Sequence, residues 1–142
     1  MRLRQAQRLG DLLTVSGAEF EAIVADLFTA LGYTDVERIG GSGDLGVDLL
    51  ATNPAGETVV IQCKRYGRGN RVGSPAVQSL MGTVVNRGAD RGIFVTTSDF
   101  TAPAVALAKS TRVPITLIDG GQITRLAVEA ASEAEASPDT DG

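Results

Sequence analysis

The sequence predicts an α/β domain, a mixed β-sheet flanked by helices in the order α-β-β-β-α-β-α-β. Three observations carry this expectation. Apolar side chains recur at helical spacing over residues 18–31. Two short apolar runs, 47–51 (VDLLA) and 58–64 (TVVIQCK), flank a segment rich in turn formers, Asn53, Pro54 and Gly56. Beyond them, helical stripes alternate with apolar strands as far as residue 119.

In the first helix Phe20, Ile23, Val24, Leu27, Phe28 and Leu31 follow i, i+3, i+4, i+7, i+8 and i+11, with Ser16 as N-cap and Gly32 as the stop. Strands at 35–39, 47–51 and 58–64 come next in series. Ser74 followed by Pro75 is a helix-start signal, and Val77, Leu80, Met81, Val84 and Val85 form a stripe that ends before Gly88, so a second helix spans 75–87. IFVTT at 93–97 reads as a short buried strand, TAPAVALAKS as a third helix and PITLID at 114–119 as a last strand. From Ser132 onward Glu, Ser, Asp and Pro predict disorder. The organisation expected is therefore a lead-in at 1–15, one folded domain at 16–128 and a disordered acidic tail at 129–142.

A chain of 142 residues with 43% apolar content can bury one core. It has no run near the roughly 18 apolar residues that a bilayer demands, and MRLRQAQRLGDLL lacks the apolar centre of a signal peptide, so a cytoplasmic protein with no membrane partner is expected. One Cys and no His exclude an intramolecular disulfide, a zinc site of the common Cys/His type and every His-based general base. Catalysis must then come from carboxylates, Lys and a bound hard cation.

The net charge of −4 conceals an uneven distribution. Residues 58–89 hold five basic side chains (Lys64, Arg65, Arg68, Arg71, Arg87) and no acid, whereas 129–142 hold five acids and no base. Without those five acids the formal charge becomes +1. The basic arm RYGRGNR reads either as a solvated Gly-rich loop or as phosphate contact by Arg65, Arg68 and Arg71, and its place directly after Lys64 favours contact.

If the 47–64 hairpin is symmetric about Ala55, residues whose numbers sum to 110 lie opposite one another, which pairs Asp48 with Gln62. Gln62 and Lys64 share a face, about 6.6 Å apart along the strand, and Cys63 points to the other side as core. A carboxylate among Val47, Leu49 and Leu50 is costly unless it is paired or bound to metal, so Asp48 meets Lys64 in a salt bridge, holds a cation, or does both, since an empty site can show that pair. An acid, an amide and a lysine thus converge, the constellation of a metal-dependent phosphodiesterase. GSGDLG at 41–46 formally satisfies G-x-G-x-x-G, but a strand follows and position 61 is Ile, which rejects dinucleotide binding. Asp44 within it suits a turn or a supporting role. Glu19 and Glu21 both border the apolar stripe of the first helix, and the pattern alone does not choose between them.

Together these segments resemble the PD-(D/E)XK nucleases, and more narrowly the catalytic domain of the Mrr-type restriction endonucleases. The likeness runs from about Ser16 to Asp119 through SGAEFE, LGY, GSGDLGVDLLA, VIQCKRY and RGIFVTTSDFTAPAVALA. Gln62 stands where the wider superfamily usually has Glu, and the Mrr-like branch looks similar at that point. The resemblance implies the restriction-endonuclease fold and Mg²⁺-dependent hydrolysis of double-stranded DNA, with Mn²⁺ as a substitute, in restriction of foreign or modified DNA. It implies Asp48, Gln62 and the Cys63 carbonyl as metal ligands, Lys64 as the residue that activates water, and Glu21 as a supporting acid. The alternatives are a catalytically silent nucleic-acid-binding module of the same fold and a Holliday-junction-resolvase-type nuclease. Such enzymes usually carry a separate recognition domain, and no segment here is long enough for one; a homodimer or a partner chain for recognition is compatible with that.

Overall fold

The computed structural model describes residues 7, 12, 14–41, 47–66 and 69–136. Among them the order is α1 (Gly17–Ala30), β1 (Thr34–Gly41), β2 (Val47–Thr52), β3 (Thr58–Lys64), α2 (Ser74–Asn86), β4 (Arg91–Thr96), α3 (Ala102–Ser110), β5 (Ile115–Ile118) and α4 (Gly120–Ala136). The expected α/β class and the first eight elements are present. The ninth, α4, was not anticipated.

The start of α1 is a capping box: the Ser16 hydroxyl accepts from the Glu19 N–H at 3.1 Å while the Glu19 carboxylate accepts from the Ser16 N–H at 2.8 Å. This occupies Glu19, whereas Glu21 is half-buried.

The sheet runs β1-β2-β3-β4-β5, with β1, β2 and β3 antiparallel and β3, β4 and β5 parallel. Asn53 sets the β2–β3 register. Its side-chain oxygen accepts from the N–H groups of Ala55 (3.0 Å) and Glu57 (2.8 Å), and its backbone N–H donates to the Glu57 carbonyl at 2.9 Å. The ladder that follows pairs Val47 with Cys63, Asp48 with Gln62, and so on to Thr52 with Thr58. This is the register expected from symmetry about Ala55.

Side-chain alternation then divides β3. Val59, Ile61 and Cys63 enter a core with Leu49 and Ala51 of β2, Phe20, Ile23 and Leu27 of α1, and Ile123 and Ala127 of α4. On the other face Val60 and Phe94 pack with Leu80 and Val84 of α2. The approach of α2 is close because residue 92 is Gly: a Cβ there would stand 2.8 Å from side-chain carbons of both Val84 and Ile115. The stripe assigned to α2 needs one correction, since Val85 is 65% exposed and the buried residues are Val77, Leu80 and Val84.

The acidic segment needs another. Helix α4 continues to Ala136, so residues 129–136 are helical where composition predicted disorder from Ser132; residues 137–142 lie outside the described residues. Its start is fixed by Asp119 and Gln122, each of whose backbone N–H groups donates to the other's side-chain oxygen at 2.9 Å. Ile123, Ala127 and Ala130 anchor it against the α1 side of the sheet.

Candidate active site

The β2–β3 ladder brings Asp48 opposite Gln62, and Lys64 follows two residues later on the same face. Asp48 is half-buried. Burial pushes its carboxyl above the usual aspartate range, and the nearby positive charge of Arg87 opposes that rise. Among the described residues its Oδ1 is buried and accepts no hydrogen bond. An unpaired buried carboxylate oxygen is expensive, so this atom marks a position where a cation or a donor fits.

The donors at hand suit a hard divalent ion. The Asp48 carboxylate, the Gln62 side-chain oxygen and the Cys63 main-chain carbonyl would all offer oxygen to such an ion, from adjacent positions of one ladder. Among the described residues no three His, Cys, Asp or Glu side chains gather as a metal cluster. The Cys63 side chain is 3% exposed on the opposite face. Burial, with the negative charges of Glu21 and Asp48, pushes its thiol upward and keeps it neutral, as expected of packed core rather than a nucleophile.

The salt bridge between Asp48 and Lys64 does not form. Among the described residues these two make no ion pair, and the Lys64 ammonium instead lies 4.9 Å from the centroid of the Tyr66 ring. Glu21 projects from α1, on the Cys63 side of the sheet, with its side chain 20% exposed and 3.8 Å from the Arg38 Nε. It is thus near the strand that carries the site but on the far face from Asp48.

The basic arm divides. Arg65 is exposed, and Arg68 lies outside the described residues, as does Asp44. The Arg71 guanidinium is already paired with Asp99 at 3.1 Å, next to a short bridge between Val72 and Phe100. Arg71 therefore ties the arm to the segment after β4.

Arg87 was missed as a site residue. It follows α2, and its guanidinium donates to the Ile39 carbonyl at 3.3 Å. The β1–β2 register slips between Arg38 and Gly40, so Ile39 is the bulged residue and its carbonyl needs a partner outside the ladder. Gly40 pairs with Asp48, which places the Arg87 charge beside the carboxylate. Only the local excess of basic residues hinted at this.

A model of the restriction endonuclease family Mrr_cat matches residues 12–127. The chain belongs to that family. The match bears out the resemblance and takes in Glu21, Asp48, Gln62 and Lys64. The Mrr_cat chain is 39% identical over 127 residues to the type IV methyl-directed restriction enzyme EcoKMrr of Escherichia coli (strain K12), which covers 85% of this chain and 41% of that enzyme. It thus spans about two-fifths of that relative's length. Solved restriction endonucleases share the fold. The DNA modification-dependent restriction endonuclease AspBHI superposes with a TM-score of 0.66 at 19% identity, over 94% of this chain and 39% of that one. MspJI restriction endonuclease in complex with a 27-mer oligonucleotide gives 0.57 at 21% identity, over 84% and 29%. PD-(D/E)XK restriction endonucleases generally use divalent metal ions, in keeping with the oxygen donors around Asp48. Among the described residues no helix is long and apolar enough to cross a membrane.

Proposed function

We propose that this Mrr_cat chain is a Mg²⁺-dependent endonuclease that hydrolyses phosphodiester bonds of double-stranded DNA, in restriction of foreign or modified DNA in the cytoplasm. The observation that carries the reading is the buried, unsatisfied Oδ1 of Asp48, directly opposite Gln62 and one ladder step from the Cys63 carbonyl. Family membership and the identity to a type IV methyl-directed enzyme support it.

Asp48, the Gln62 amide oxygen and the Cys63 carbonyl would hold the cation, with Glu21 adding negative charge near Cys63 from the α1 side of the sheet. When bound, Mg²⁺ supplies charge stabilisation at the phosphate and lowers the pKa of water. Lys64 orients the attacking water and offsets negative charge as phosphorus becomes five-coordinate. Water adds to phosphorus, one P–O ester bond breaks, and a proton passes to the departing oxygen, leaving a phosphomonoester and a hydroxyl. Gln62 in place of a carboxylate removes one negative charge, which weakens metal affinity without removing a ligand. Arg65 and Arg68 meet the DNA backbone. Two copies of the chain, or a separate recognition chain, would add DNA specificity to this domain.

The test is cleavage of modified and unmodified plasmid with Mg²⁺, with Mn²⁺ and with EDTA, beside a four-way junction. Metal-dependent cutting of plasmid is expected. A wild type inert on every DNA with either metal, yet able to bind, would leave a binding module; preference for the junction would indicate a resolvase.

A further inference from the structure

We propose that Thr97 is a positioning residue for Lys64, acting through Tyr66. This rests on the reading of Lys64 as the residue that activates water. Strand β3 ends at Lys64, whose ladder partner on β4 is Thr96. One step further the regular ladder has stopped, and the Thr97 hydroxyl replaces it. That hydroxyl accepts from the Tyr66 N–H at 2.8 Å and donates to the Tyr66 carbonyl at 2.6 Å. A hydroxyl has one proton and two lone pairs, so one side chain can satisfy both main-chain groups of one residue.

Thr97 is only 2% exposed and Thr96 is fully buried. The Thr96 Oγ1 accepts from the Ser98 N–H at 3.2 Å, which holds the turn that presents Thr97. A threonine placed merely to fill space would need one partner. Here both bonds go to a single residue, the one two positions beyond Lys64.

Tyr66 in turn packs against the cluster built on Val60 and Phe94. Its ring receives the Lys64 ammonium at 4.9 Å from the centroid. A lysine stem is flexible and its charge compact, so a fixed aromatic face narrows where the ammonium can stand. The sequence of restraint is buried hydroxyl, main chain, ring, ammonium. It gives a role to the TTS segment at the end of β4, which the catalytic residues leave unexplained.

The experiment compares Thr97→Val, Thr97→Ser, Tyr66→Phe, Tyr66→Leu and Lys64→Ala. DNA cleavage rate at saturating Mg²⁺, DNA dissociation constant and the ¹H–¹³C shifts of the Lys64 Cε group are measured. Thr97→Val keeps the shape and removes both bonds; it should slow cleavage at least about 10-fold, since misplacement of a reacting group by about 1 Å can cost about 100-fold. DNA affinity should change less than about 2-fold, because one flexible phosphate contact among several adds little. Thr97→Ser and Tyr66→Phe should stay near the wild type. Tyr66→Leu should match Thr97→Val and abolish the ring-current displacement of the Lys64 Cε protons.

If Lys64→Ala cuts at the wild-type rate, the role of Lys64 itself is wrong. If Lys64→Ala is dead while Thr97→Val and Tyr66→Leu cut normally, only the positioning role fails. An unaltered Lys64 Cε shift in Thr97→Val also overturns it, and this reading needs no activity. Should Thr97→Val not fold, Thr97→Ala, which removes the same two bonds, is measured in its place, and normal cleavage with an unaltered Lys64 Cε shift in it overturns the proposal.

Discussion

The guanidinium of Arg87 donates to the main-chain carbonyl of Ile39, 48 residues earlier, and thereby stands beside Asp48 across the β1 bulge. Two needs meet in this contact: the bulged carbonyl gains a donor, and the half-buried carboxylate gains a neighbouring positive charge. The charge partly offsets the upward push of burial on the Asp48 pKa. Arg87→Ala should therefore raise the Asp48 pKa further. A ¹³C carboxyl titration of the metal-free protein checks this, and an unchanged or lowered midpoint would show that Arg87 is too distant to act.

Asp48→Asn should abolish metal-dependent cleavage, leave the fold intact and stabilise it at neutral pH. The sign follows from the raised pKa. Between the ordinary aspartate value and the higher folded value the native state binds more protons than the unfolded chain, so stability falls as pH rises through that window. Above it the full penalty of the buried charge is present, and below it none. The gain in Tm from Asp48→Asn should thus be larger at pH 7 than at pH 3. Equal gains at both, or a loss at pH 7, would contradict the cost assigned to Asp48.

The β2–β3 hairpin was legible because its determinants are local. Asn53, Pro54 and Gly56 mark the turn, a period of two assigns faces, and symmetry then places Asp48 against Gln62. The first helix was equally plain from its stripe and cap. Helix α4 was hidden because Gly120 and Gly121 sit in its first turn and two of its three core anchors, Ala127 and Ala130, are small and lie among acids. The Asp119-x-x-Gln122 pattern was the available signal. Arg87 and Thr97 were not legible in these roles. Each acts on a residue more than 30 positions away, through contacts that exist only once the sheet is assembled. The helix pattern alone did not choose between Glu19 and Glu21; the resemblance favoured Glu21, and the capping box accounts for Glu19.

Within the basic arm, Arg65 and Arg71 should behave differently. Arg65 is exposed, so Arg65→Ala should make the salt dependence of DNA binding shallower by up to about 0.9 in the log–log slope for one lost phosphate contact. Arg71 is bound to Asp99. Asp99→Asn would free it, so that variant should bind DNA more tightly and with a steeper slope, whereas in the wild type Arg71→Ala should change the slope less than Arg65→Ala does. Fluorescence anisotropy across a salt series distinguishes these outcomes; an identical slope in all three variants would return the arm to a solvated loop.

Gln62→Glu isolates the charge at the proposed metal position. The side chain keeps its length and an oxygen aimed from the same ladder position, opposite Asp48, and it adds one negative charge. A hard divalent cation gains from that charge, so Mg²⁺ should bind more tightly in isothermal titration. Without metal the same substitution should be unfavourable, because two carboxylates then face each other across one ladder rung and each raises the other's pKa. The variant should therefore lose stability in EDTA and recover it with Mg²⁺, and the difference should shrink at low pH, where one carboxyl is protonated. If Mg²⁺ binds Gln62→Glu more weakly than the wild type, the Gln62 amide is not beside the ion, and the metal must reach Asp48 Oδ1 from another side.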